Sequence, residues 1–81
     1  MKPTTWEQGL TVKIAEGTRL HLVQDARNAA YLLAEKWPVT YGRAYQRALA
    51  YCARAMEGRC SPGRARLAFI AAAREAEVVV T

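Results

Sequence analysis

The segment from Tyr41 to Met56 constrains this chain more than any other. Tyr41, Ala44, Tyr45, Ala48, Cys52 and Ala55 recur there at helical spacing, and most of them are small. A helix with such a stripe buries little area alone and must be covered closely by other elements. Gly58 lies just past its last turn and supplies the left-handed stop such helices favour. With 81 residues in all, one domain must provide the cover.

The flanking segments supply it. LTVKI at 10–14 and TRLHLV at 18–23 alternate with period two around Gly17, which predicts a β-hairpin with Leu10, Val12, Ile14, Leu20 and Leu22 inward. Thr11, Lys13, Arg19 and His21 fall on the opposite face. Asp25 is placed to cap a helix carrying Ala26, Ala29, Ala30, Leu33 and Trp37 on one side, and Pro38 ends it. Ser61 and Pro62 open a third helix through Ala76, with Ala65, Phe69, Ala72, Ala73 and Ala76 inward. Glu77 to Thr81 is rich in β-branched residues and predicts a third strand for the hairpin sheet.

The expected fold is therefore α+β: a small three-stranded sheet, made of the N-terminal hairpin and the C-terminal strand, packed with three helices in the order β-β-α-α-α-β. Residues 10–81 form the single domain. Residues 1–9 form a loosely held arm that Trp6 is able to pin.

Several chemistries find no support. The one histidine, His21, and the two cysteines, Cys52 and Cys60, lack zinc spacing, and two free thiols are the simplest reading of the pair. Cys52 points inward by helical phase, so a Cys/His nucleophile would need Cys60 to meet His21 across the fold. Asp25, Glu35, Glu57, Glu75 and Glu77 read as surface charge rather than paired acid and base. No glycine cradle for a nucleotide is present, and no cofactor is expected. The start, MKPTTWEQG, lacks the apolar core of a signal peptide, and no apolar run is long enough to cross a bilayer, so a soluble cytoplasmic protein is expected, with no membrane partner.

The charge is concentrated. The net charge is +5, and residues 42–66 hold Arg43, Arg47, Arg54, Arg59, Arg64 and Arg66 against the lone acid Glu57, so the rest of the chain sums to zero. At helical spacing Arg43, Arg47 and Arg54 fall within about 40° of one another, opposite the buried stripe. They form an exposed ridge able to contact phosphates, or an ordinary solvated face. Arg59, Arg64 and Arg66 crowd the start of the third helix, where cations oppose the helix dipole and an anion would offset them. Arg66 shares a stripe with Ile70 and Ala73. It is expected to be half-buried, paired with Asp25, Glu57 or another acid, or with its stem lying along the core edge.

The helix ending in EKWP, the segment AYQRALAYCARAMEG and the closing ARLAFIAAAREAEVVV together resemble the small bacterial family catalogued as domain of unknown function 982, over roughly residues 10 to 80. The resemblance implies the domain limits and a bacterial origin. It carries no activity, ligand or catalytic residue.

The functional expectation is a non-enzymatic binding or adaptor domain meeting a protein partner, a second copy of itself included, through the sheet edge or a helical face. The alternative is a nucleic-acid-binding protein using the ridge of the second helix. Against it, the outward sheet positions hold no aromatic platform, and the alanine-rich third helix offers few base-reading side chains. A third class is an enzyme or anion sensor at the start of the third helix.

Overall fold

The computed structural model describes residues 5–14 and 20–81. In chain order they form β1 (Thr5–Lys13), β2 (Leu20–Asp25), α1 (Ala26–Glu35), α2 (Arg43–Met56), α3 (Pro62–Glu75) and β3 (Val79–Val80). This is the expected α+β order. The turn expected at Gly17 and the outward position of Arg19 lie outside the described residues.

The sheet is antiparallel with order β2-β1-β3, so β1 is central and the helices cover one face. Leu10 pairs with Val23, Val12 pairs with both His21 and Val80, and Leu10, Val12, Ile14 and Val23 are buried. Thr11 and Thr81 exchange both backbone hydrogen bonds, at 3.0 and 2.9 Å.

The phase of β2 differs from expectation. Leu20 and Leu22 are 64% and 61% exposed, while Val23 is buried and His21 half-buried. Residues opposite one another in an antiparallel pair share a face. Leu20 stands opposite Lys13 and Leu22 opposite Thr11, which sends both leucines outward. The boundary of the arm differs too: β1 begins at Thr5, paired with Asp25, and Trp6 is buried, so residues 5–9 belong to the sheet. A bulge between Thr5 and Leu10 absorbs the change of register.

Asp25 caps α1 as its sequence predicts, its Oδ1 accepting the Asn28 N–H at 2.8 Å. Leu32 joins the inward stripe of α1, and Trp37 is buried although it lies beyond the helix end. Tyr41, expected inside the second helix, is instead 72% exposed. The chain enters α2 through Gly42 at φ +112°, a conformation that ends any helix reaching back to residue 41.

The core centres on Phe69 of α3, which is fully buried. The ring of Trp37 lies 5.3 Å from it and that of Trp6 6.0 Å, both tilted by a little over 50°. Both indole N–H groups are buried with no acceptor among the described residues, so the two rings serve as apolar mass. Around them Ala26, Ala29, Ala48, Ala55, Ala65, Ala72 and Ala73 are buried, which allows three helices and a sheet to meet in so short a chain. The Tyr45 hydroxyl donates to the Leu33 carbonyl at 3.0 Å and ties α2 to the last turn of α1. Among the described residues no helix is long and apolar enough to cross a membrane.

Candidate binding groove between two helices

Helices α2 and α3 run antiparallel and make the most extensive contact in the molecule. The reversal is local. The Gly58 N–H donates to the Ala55 carbonyl at 3.0 Å and the Arg59 N–H to the Arg54 carbonyl at 2.8 Å, with Gly58 at φ +76°. These are the paired bonds of a Schellman stop. Ser61 then starts α3, its Oγ accepting the Arg64 N–H at 3.3 Å with Pro62 in the first turn.

At the other end of the pair the link is long-range. Gly42 provides no side-chain cap for α2, and the Glu75 carboxylate accepts instead from Tyr45 N–H at 3.3 Å and Ala44 N–H at 3.4 Å. A carboxylate satisfies orphan donors there and complements the positive end of the helix dipole. A Cβ at residue 42 would meet that carboxylate and displace it from its capping position, and the φ of +112° itself favours glycine there. From sequence Glu75 reads only as surface charge, because the group it serves is 30 residues distant.

Between the outer faces of the two helices lies a groove of about 640 Å³. Arg43, Ala44, Arg47 and Tyr51 form the α2 wall. Arg64, Leu67, Ala68, Ala71 and Glu75 form the α3 wall, with Leu67 66% exposed. The groove thus mixes cations with apolar tyrosine, leucine and alanine side chains. The Arg54 guanidinium carbon lies 5.6 Å from the centre of the Tyr51 ring, extending the basic rim past the end of the groove.

Of the six arginines expected to form a ridge and a cradle, Arg43, Arg47 and Arg54 are all exposed on α2. Arg43 and Arg47 line the groove, and Arg64 joins them from the other helix. Arg54 covers Tyr51. Arg59 pairs with Glu57 at 3.6 Å on an exposed turn, the lone ion pair among the described residues and a weak one at such exposure. Arg66 is half-buried, as its stripe predicts, but its Nε donates to the Gln8 carbonyl at 3.1 Å rather than to an acid. The irregular stretch of β1 leaves that carbonyl free to accept. Arg59, Arg64 and Arg66 thus each make a different contact.

Cys52 and Cys60 are free. Burial, with a smaller contribution from nearby Cys60, pushes the Cys52 thiol up to about 12, so it stays protonated at neutral pH. The Cys60 Sγ lies 3.5 Å from the Tyr51 carbonyl. Among the described residues no group of three or more His, Cys, Asp and Glu side chains is placed to hold a metal ion.

A family model described as a protein of unknown function (DUF982) matches residues 8–80, nearly the whole chain. The chain belongs to the DUF982 family. Comparison with curated proteins and with solved structures gives no match. Membership in DUF982 assigns the fold unit and no activity, so function has to be argued from the groove.

Proposed function

We propose that this DUF982 protein is a non-enzymatic protein-interaction domain whose partner occupies the groove between α2 and α3. The observation that carries the reading is the set of three arginines, Arg43, Arg47 and Arg64, with no carboxylate within ion-pair distance among the described residues, lining one groove with exposed Leu67 and with Tyr51 and alanines. Unpaired guanidinium groups beside apolar surface favour a partner with acidic and apolar side chains together. The β3 edge of the sheet is a poorer surface, since it offers only Val79 and Val80. Among the described residues the candidate catalytic groups are otherwise engaged: Asp25 and Glu75 act as helix caps, Glu57 pairs with Arg59, and the Cys52 thiol is buried. A cytoplasmic setting belongs to the same proposal, supported by the two free thiols.

Nucleic acid is the second reading, favoured by the exposed series Arg43, Arg47 and Arg54. Leu67 and the Glu75 carboxylate on the facing wall favour a protein instead.

Titration of the ¹⁵N-labelled protein by NMR separates the two. Acidic peptides bearing leucines are expected to shift the amides of Arg47, Tyr51, Leu67 and Ala71, with affinity that falls as salt rises and is lost when Arg43, Arg47 and Arg64 become alanine. Duplex DNA or single-stranded RNA binding in preference to the peptides, and weakening in an R43A/R47A/R54A variant, would establish the second reading. Saturable peptide binding at a site away from the groove would overturn the first.

A further inference from the structure

We infer that the partner segment is an acidic amphipathic α-helix of about three turns, lying along the groove as a third helix against α2 and α3. The inference rests on the interaction role proposed above and names the shape and charge of what fills the site.

Length supports it first. Along α2 the lining residues Arg43, Arg47 and Tyr51 follow one another at one-turn intervals, a span of about 12 Å. Along α3 the lining from Arg64 to Glu75 spans about 16 Å. A helix of about 8 to 11 residues matches those walls end to end.

The width is set by small side chains. Ala44, Ala68 and Ala71 line the groove where an incoming element must approach. Alanine at such positions lets two helix axes come within about 8–10 Å, with the ridges of one in the furrows of the other. Leu67 and Tyr51 then meet apolar residues at i, i+3 or i+4, and i+7 of the guest.

Backbone chemistry excludes the main competitor. An extended peptide gains affinity by pairing its N–H and C=O groups with a free strand edge. Both walls here are helices whose backbone groups are bonded internally, and at the start of α2 the Ala44 and Tyr45 donors already bond to Glu75. A helical guest brings its own backbone bonds and needs outside partners only at its ends.

Charge fixes the pattern on the guest. Arg43 and Arg47 lie four residues apart on one wall, so carboxylates four residues apart on one flank of the guest meet both. Arg64 stands on the opposite wall and calls for an acid on the other flank. Glu75 shares its end of the groove with Arg43 and disfavours an acid directly above it.

Two fluorescein-labelled peptides of identical composition, leucine, glutamate, alanine and glutamine, test this by anisotropy. One carries leucines at helical spacing with glutamates on both flanks and is held helical by a side-chain staple. The other alternates leucine with polar residues at period two. The helical peptide is expected to bind about tenfold tighter or better, and its unstapled form to gain helical circular dichroism on binding. Ala71→Phe, on the exposed groove wall, is expected to weaken binding of the helical peptide while leaving Tm unchanged. Equal affinity for the period-two peptide, or wild-type binding by A71F, overturns the helical inference and leaves the interaction role standing. Absence of saturable binding by either peptide overturns both.

Discussion

Helices α2 and α3 have the same length and both carry small inward residues, yet their starts are finished by opposite means and their stops by the same motif on different residues. α3 begins with its own cap, Ser61, while α2 begins at a glycine and takes its cap from Glu75 at the far end of α3. α2 stops on Gly58, which adopts a left-handed backbone without cost, while α3 stops the same way on Glu77 at φ +59°. The Val78 N–H donates to the Ala73 carbonyl at 2.7 Å and that of Glu77 to Arg74 at 3.2 Å, completing the same pair of bonds found after α2. The difference shows which helix depends on the other. α3 carries its own start signal, whereas the first turn of α2 is satisfied only once α3 has packed beside it.

The contrast can be broken at its long-range link. Gly42→Ala combines an unfavourable positive φ with a Cβ driven into the Glu75 carboxylate, and is expected to lower stability by about 3 kcal/mol in urea denaturation. A loss no greater than that of an ordinary exposed glycine would show that α2 does not need this close approach. Glu75→Ala removes the borrowed cap and is expected to cost about 1.5 kcal/mol. Combined with Gly42→Ala it should cost less than the two single losses together, since the obstruction goes with the carboxylate. Strict additivity in that cycle would separate the two residues. Ser61→Ala should remove about 1 kcal/mol, the local counterpart of the Glu75 effect. The smallest change has the opposite sign: Glu77→Gly is expected to raise stability by about 0.5–1 kcal/mol, seen as a higher Tm, because glycine adopts this backbone freely. A lower Tm would mean that the Glu77 side chain contributes more than its backbone strain costs.

Much of the fold was legible because its signals are local. Asp25, Ser61 and Gly58 mark helix ends within one turn of the groups they satisfy, and the α2 stripe of Tyr45, Ala48, Cys52 and Ala55 is buried as its spacing requires. β2 was misread because both faces of LHLV carry apolar residues. Period two then leaves a choice between the leucines and Val23, and pairing with β1 decides it. The individual contacts of the arginines were hidden for a related reason. Neighbours in sequence suggest a shared surface, but a tight reversal between antiparallel helices brings Arg64 into the groove that Arg43 and Arg47 line, while Arg66, two residues on, bonds to the sheet. The position of Arg66 beside Ile70 and Ala73 gave away its partial burial. Nothing local pointed to a backbone carbonyl on β1 as its partner.

The central place of β1 also bears on how the chain acquires its structure as it is synthesised. Val12 can pair with β2 as soon as the hairpin has emerged, but its other neighbour is Val80, near the opposite end of the described chain. Until residues 79–81 are made, one side of β1 exposes unpaired amides and carbonyls while three helices are already being produced. Closing that edge brings together positions far apart in sequence, the kind of contact that slows folding and leaves a nascent chain open to pairing with its neighbours. A chain stalled on the ribosome before Val79 is thus expected to be the species most in need of a chaperone.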